Sequence, residues 1–311
     1  MGLGWIECVP NFSEGRRQEV MEEILQPFRT TPGCFLMDQR PDRDHNRLVV
    51  SLVGEPQAVC RALLNAAKVA VERIDLNQHT GAHPRMGAVD VVPFVPLPGT
   101  SMESCIQLAR DFGRVLHQET GVPVYFYEEA ALRPERKRLE VVRKGQFEAL
   151  REEISKPERQ PDVGAPRIHP TAGATAVGAR KFLIALNVNL RSRDLGMAQR
   201  IAKAVRASSG GLSHVKAMGV DLAEQGMVQV SMNLVDFEKN PIYRVVEMVR
   251  TEARRWGVEV AGCEIQGLVP TAALLESAAY YLQLHDLEPS RVIEIALLGL
   301  LGQEREKGSK Q

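Results

Sequence analysis

The chain has 311 residues, of which 44% are hydrophobic and 25% charged, a composition ordinary for folded domains and unlike that of disordered or fibrous chains. Lysine plus arginine equals aspartate plus glutamate at 39 each, so there is no global field to hold nucleic acid and any anion site must be local. The longest apolar run, near 292–302, is too short for a bilayer span and contains Glu294, so no membrane partner is expected.

At about 150 residues per domain the length suggests two units. Short runs rich in Val, Ile and Phe alternate with segments of helical period, the pattern of mixed α and β layers. In chain order, the first part predicts strands near 5–10, 34–38, 47–54, 89–95 and 122–127, with helices at 16–29, 56–75, 101–118 and 134–154. Ser101 is placed to cap the third of these helices, with Glu103 in its first turn. The mixed charges of 134–154 read as a plain solvated face. The segment "KPERQPDVGAP", 156–166, stops that helix with three prolines and a glycine, which puts a domain boundary near 165–180.

Beyond it the pattern predicts strands at 181–190, 214–221, 227–236 and 258–265, helices at 194–208 and after Pro241, and further helices within 270–302. The order strand, helix, strand, strand, helix, strand therefore occurs twice, once in 5–95 and once here. That is the order of a duplicated split βαβ unit. The N-terminus has no basic region followed by an apolar stretch of secretory length, so a cytoplasmic location is expected. Cys8, Cys34, Cys60, Cys105 and Cys263 are odd in number and scattered, which disfavours a disulfide framework and a cysteine zinc site.

The densest chemistry is in "HTGAHPRMGAVD", residues 79–90. His79 and His83 have the four-residue spacing of a helical metal pair, but Gly81 between them and Pro84 after them argue against helix, and no third ligand stands nearby; no metal site is expected. His83 precedes the apolar run "VDVVPFVPL", at a strand end where ligands commonly bind. Pro93 and Pro96 in that run imply an edge or irregular strand. With extended backbone, residues 83 and 85 face one side, so an imidazole that moves protons near neutral pH would lie beside an Arg85 that grips a carboxylate. "GATAVGARK", 173–181, imitates a phosphate loop but has Ala179 where its lysine belongs. "DQRPDRDHNR", 38–47, reads equally well as a solvated hairpin turn, and "VPNFSEGR", 9–16, as a helix cap.

The stretches "ECVPNFSEG" (7–15), "HPRMGAVDVVPFVP" (83–96), "GARKFLIALNVNL" (178–190), "QVSMNLVDF" (229–237) and "GLVPTAALL" (267–275) run nearly the length of the chain. Together they resemble the glutamate formimidoyltransferase family. The resemblance implies an α+β fold of two ferredoxin-like subdomains, 1–178 and 179–311, with a ligand tunnel between them and assembly as a homodimer. It implies transfer of a formimidoyl group between 5-formimidoyltetrahydrofolate and L-glutamate in histidine breakdown, with tetrahydrofolate as co-substrate and no metal. The family's catalytic histidine falls on His83. Its folate-contacting loop falls on Gly164, Ala165, Pro166, Arg167, Ile168, His169, Pro170, Thr171, Ala172 and Gly173.

Around residue 40 the animal members read "LLDVDAGPSTNR" where this chain has "LMDQRPDRDHNR", so an acidic side chain becomes Arg40. The carboxylate candidates for assisting His83 are then Asp38, which matches, and Asp44, which does not. At 311 residues the helical cyclodeaminase of the animal forms is not expected here. Two other readings use the same residues: transfer of a formyl group from 5-formyltetrahydrofolate, and a folate-binding module without turnover. A histidine-metal hydrolase is a third.

Overall fold

A computed structural model describes residues 4–308, the last eight as backbone only. The chain is mixed α+β and divides into two compact units, Met1–Lys181 and Phe182–Gln311.

Unit 1 begins with β1 (Ile6–Cys8) and β2 (Asn11–Phe12), one extended path interrupted at Val9 and Pro10, followed by α1 (Gln18–Thr30), β3 (Cys34–Asp42), β4 (Arg47–Gly54), α2 (Pro56–Arg73) and β5 (Val89–Pro96). The chain continues through α3 (Met102–Thr120), β6 (Val124–Glu128), α4 (Leu139–Val142), α5 (Gln146–Glu153) and β7 (Thr175–Ala179). The strands form one sheet. β3 pairs with β4, β4 with β1 and β2, and these with β5, all antiparallel; β5, β7 and β6 then run parallel.

Alternation along β6 separates the two faces. Val124 and Phe126 join the core under α1, α2 and α3, whereas Tyr125 and Tyr127 join a second core with Val142, Leu150 and Ile154. Ser101 does cap α3, accepting the Ser104 amide.

Three expectations change. The strand with Pro93 is not an edge, since β5 pairs on both sides, although its pairing with β2 is irregular. Pro93 is tolerated because its carbonyl accepts from the Val9 amide, so its own missing N–H faces the break between β1 and β2, where the ladder is already interrupted. The helix read over 134–154 is a short 3₁₀ turn and two short helices, broken at Gly145 with φ 77°. A strand, β7, lies within "GATAVGA", which the sequence did not mark as one.

Unit 2 is β8 (Ile184–Leu190), α6 (Leu195–Val205), β9 (Val215–Leu222), β10 (Met227–Leu234), α7 (Ile242–Arg254), β11 (Val260–Gln266), α8 (Thr271–Leu282) and α9 (Ile293–Gly308). Its antiparallel sheet has the order β11-β8-β10-β9. Val228, Val230, Met232 and Leu234 of β10 face the core under α6 and α7. The opposite face is polar: the Gln229 amide donates to Asn189 Oδ1 at 2.7 Å, and the Asn189 amide to Glu264 Oε1 at 2.7 Å. Among the described residues no helix is long and apolar enough to cross a membrane.

Candidate active site

The loop between α2 and β5 carries His79, His83 and Arg85 to a narrow cleft in unit 1, with about 180 Å³ of empty space. Phe12, Ser13, His45, Asn46, Arg47 and Asp90 complete its walls. Short backbone approaches bring these segments together. A Cβ on Gly15 would lie 2.2 Å from the Asp42 carbonyl oxygen, and one on Gly87 would lie 2.0 Å from that of Ala174; only glycine permits such approaches. The Gly15 amide donates to Asn46 Oδ1 at 2.9 Å, and Ser13 Oγ donates to the Gly87 carbonyl at 2.7 Å. The segment 9–16 is thus scaffold for the loop as well as the lead into α1.

His83 is half-buried. Its Nε2 lies 2.8 Å from Nη1 of Arg47, the first residue of β4. A guanidinium only donates, so Nε2 is the acceptor, the imidazole is neutral, and its proton sits on Nδ1. Burial first, and then the charges of Arg47 and Arg143 with the nearby His45, push its pKa down to about 2. The near-neutral imidazole expected from the sequence is therefore not what this arrangement holds. His45 meets the His83 ring edge-on with centroids 6.1 Å apart.

His79 is fixed differently. Its Nδ1 accepts from Arg85 Nε at 3.2 Å and its Nε2 approaches the Asn46 carbonyl at 3.0 Å, so this imidazole is neutral with the proton on Nε2. Burial lowers its pKa.

Arg85 lines the cleft, but its guanidinium is engaged by protein. Nη2 donates to Glu148 Oε1 at 2.7 Å and Nη1 to Glu148 Oε2 at 2.9 Å, a two-point fork. Nη1 also reaches Gln146 Oε1 at 3.3 Å, and Nη2 the His79 carbonyl at 3.3 Å. That arginine holds the loop in place instead of presenting free donors to a substrate carboxylate. Its replacement by lysine, which keeps the charge but loses the fork, is expected to lower stability by about 1–3 kcal/mol, measured by denaturant unfolding.

Asp38 does not meet His83. Its Oδ2 pairs with Arg40 Nε at 2.7 Å. Among the described residues no hydrogen bond joins Asp38 or Asp44 to His83. Asp42 instead accepts from the amides of Asp44 and His45 and lies 2.7 Å from His45 Nδ1. The His45 contacts, led among the favourable causes by its backbone amide, hold the Asp42 pKa below its ordinary value against burial.

Segment 143–148, read from sequence as a solvated face, grips the loop. Arg143 Nη1 donates to Asp90 Oδ2 at 2.8 Å and to the Pro84 carbonyl at 3.2 Å, and the Phe147 amide donates to the Arg85 carbonyl at 3.0 Å. The break at Gly145 is what turns these groups inward. Asp90 Oδ1 in turn accepts the Met86 amide at 2.7 Å.

The 164–173 segment divides in two. Its end adjoins the His83 loop: the Ala88 amide donates to the Ala172 carbonyl at 2.9 Å, and the Leu76 amide to the Thr171 carbonyl at 2.8 Å. His169 Nδ1 accepts the Ala172 amide at 3.0 Å, closing the turn. Gly164 instead lies against the His117 ring, and residues 164–167 are exposed. Arg47, Asp90 and Arg143 were not singled out from sequence. The density of Asp, His and Arg in 42–47 was the available signal for the first of them.

The formiminotransferase domain, N-terminal subdomain, matches residues 5–180, and the formiminotransferase domain matches residues 185–304. The chain is 45% identical to the glutamate formimidoyltransferase of Streptococcus pyogenes serotype M1, covering 94% of this chain and 99% of that one. It is 45% identical to the protein of the same name from Thermoplasma acidophilum, over 94% and 97% of the two chains. It is also 45% identical to the formimidoyltransferase-cyclodeaminase of Rattus norvegicus, covering 89% of this chain and 52% of that longer one.

Proposed function

The chain belongs to the formiminotransferase family, and from that premise we propose that it is a glutamate formimidoyltransferase, moving a formimidoyl group between 5-formimidoyltetrahydrofolate and the α-amino group of L-glutamate. The observation that carries this reading is likeness through both units to proteins of that name.

The reaction needs one proton moved twice. Glutamate's amine must shed a proton to attack the amidine carbon, forming the new C–N bond. The bond from that carbon to the folate nitrogen then breaks as the nitrogen takes up a proton. A single imidazole serves both steps by taking the first proton and returning it at the second. His83 is the imidazole we assign, with Nε2 as the working atom. The steps balance without a metal ion. Among the described residues there is no grouping of three or more His, Cys, Asp or Glu suited to hold one.

The cleft is too tight to enclose a whole ligand, and we assign the reacting ends of the two substrates to its mouth. We assign the pterin and its carboxylate tail to the 164–173 loop, whose end adjoins the segment after His83 and whose Arg167 is exposed. Neither Asp38 nor Arg85 is assigned to substrate, since each is held by a protein partner.

We read both units as ferredoxin-like. What supports this is the same β-α-β-β-α-β order in each and the matching sheet order, with β3-β4-β1/β2-β5 in unit 1 corresponding to β9-β10-β8-β11 in unit 2. A homodimer, a cytoplasmic location and a place in histidine breakdown complete the proposal.

The test is an assay of tetrahydrofolate release from the formimidoyl donor that depends on free glutamate, run beside the 5-formyl donor. Glutamate-dependent turnover of the formimidoyl donor is expected. Equal or faster turnover of the formyl donor would replace the proposed substrate, and folate binding with no turnover would leave a binding module.

A further inference from the structure

Three arginines surround the His83 loop, and their partners differ in kind. Arg85 is forked to Glu148, and Arg143 is paired with Asp90. Arg47 has no carboxylate within salt-bridge distance among the described residues. Its Nη1 donates to His83 Nε2, and its Nε is buried without an acceptor. The charges of Asp42 and Asp90 reach Arg47, but Asp42 is turned to His45 and two backbone amides and Asp90 to Arg143.

A buried guanidinium N–H left unpaired costs about 1–3 kcal/mol. An arginine held in that state, at the wall of a cleft, is suited to a two-point carboxylate contact. The atom it covers is the one the transfer reaction needs.

We propose that Arg47 is the receptor for a carboxylate of the glutamate substrate, and that until this carboxylate arrives it keeps His83 Nε2 covered. The proposal rests on the reading of His83 as the base for glutamate's amine. Substrate arrival then does two things together: the carboxylate draws Nη1 away from Nε2, and its charge offsets the cations facing the ring. The groups facing His83 are Arg47, Arg143 and His45, with Asp90 behind the second and Asp42 behind the third. The base is armed only when the molecule whose proton it must take is in place.

The chain has seven histidines, few enough to follow by carbon-13 imidazole NMR, with the His83 signal assigned by its loss in His83→Gln. Glutarate, which has glutamate's two carboxylates but no amine, is the probe, against sodium chloride at matched ionic strength. In the wild-type protein His83 is expected to show no titration between pH 5 and 8.5, roughly the range of ordinary imidazoles, and to acquire one when glutarate is added. In Arg47→Gln the titration is expected without glutarate and unmoved by it. The KM for glutamate should rise about 10- to 100-fold, the equivalent of losing a charged hydrogen bond, with the KM for the folate donor changed less than threefold. Arg47→Lys, which keeps the charge without the fork, should give an intermediate KM and guards against misfolding of the glutamine variant.

A wild-type His83 signal that glutarate leaves unmoved at any concentration would overturn the proposal. So would a glutamate KM within twofold of wild type in Arg47→Gln, or a rise confined to the folate donor. These outcomes separate from failure of the functional reading. The NMR experiment needs no turnover, and a working transferase with an indifferent Arg47 would sink this inference alone.

Discussion

Replacing His83 with alanine is expected to lower kcat for glutamate-dependent transfer by about 10²- to 10⁴-fold, the range of one positioned general acid/base. Folate-donor binding, measured by equilibrium titration, should change little. The reason for expecting so clean a separation is structural. His83 is half-buried, its side chain has one hydrogen-bonding side-chain partner, Arg47, and it lies outside the hydrophobic clusters of unit 1. Its removal therefore opens little core and strands no buried carboxylate; the cost falls on stability instead, because Arg47 Nη1 loses the acceptor it has in His83 Nε2. Rate remaining above the uncatalysed level would come from holding amine and amidine side by side. An unchanged kcat would remove the imidazole from the chemistry. A loss of donor binding equal to the loss of rate would reduce it to a ligand contact.

Substituting alanine for Gly87 is expected to destabilise the protein by more than about 3 kcal/mol, in the tail where local strain cannot relax. The added Cβ would stand 2.0 Å from the Ala174 carbonyl oxygen and 2.7 Å from that of Val89, both backbone atoms that no rotamer change can move aside. The flanking bonds close the escape routes: the Ala174 amide to the Met86 carbonyl at 2.9 Å, the Ala88 amide to the Ala172 carbonyl, and Ser13 Oγ to Gly87 itself. Gly262 on β11 is the control. A Cβ there meets nothing within 4 Å, so alanine should be tolerated to within about 0.5 kcal/mol. Urea unfolding of the two variants would decide the matter, and comparable midpoints would refute the close-approach argument.

Much of this architecture could be read from residue patterns, and the exceptions share a cause. β4 at 47–54, α2 from Pro56 and α3 behind its Ser101 cap follow from local signals of period, proline and capping. β7 was missed because Thr-Ala-Val-Gly-Ala lacks bulk. Its small residues are what a doubly covered strand needs, and a Cβ on Gly178 would come within 2.6 Å of the Tyr127 ring. The break at Gly145 was hidden by a charge pattern that suits any exposed helix. Similarly, Pro93 left an edge and an irregular strand both open, because sequence alone does not reveal the gap at Val9 and Pro10 that accommodates it in a central strand.

At the candidate site, His83 stands out in the sequence by its company of Pro84, Gly81 and Arg85, and the structure places it on a cleft wall. The division of labour among the arginines was not legible in the sequence. Arg85 adjoins the histidine in sequence, yet Glu148, 63 residues away, takes up its donors. Arg47 is 36 residues from His83 and touches it. Which cation is left uncommitted depends on where distant carboxylates land, and that is a property of the fold.

The grip of residues 143–148 on the loop has one more consequence. The two short helices on either side of Gly145 set Val142 and Leu150 into a smaller core, while Phe147 joins the one beneath α1 to α3, and such peripheral segments open at lower free energy than the body they rest on. Warming or a proteolytic nick between Lys144 and Gln146 would release Pro84, Arg85 and Asp90 together while most of the sheet stayed paired. The geometry proposed for transfer is thus expected to be forfeited first under stress, with turnover falling silent at a temperature below the midpoint of unfolding.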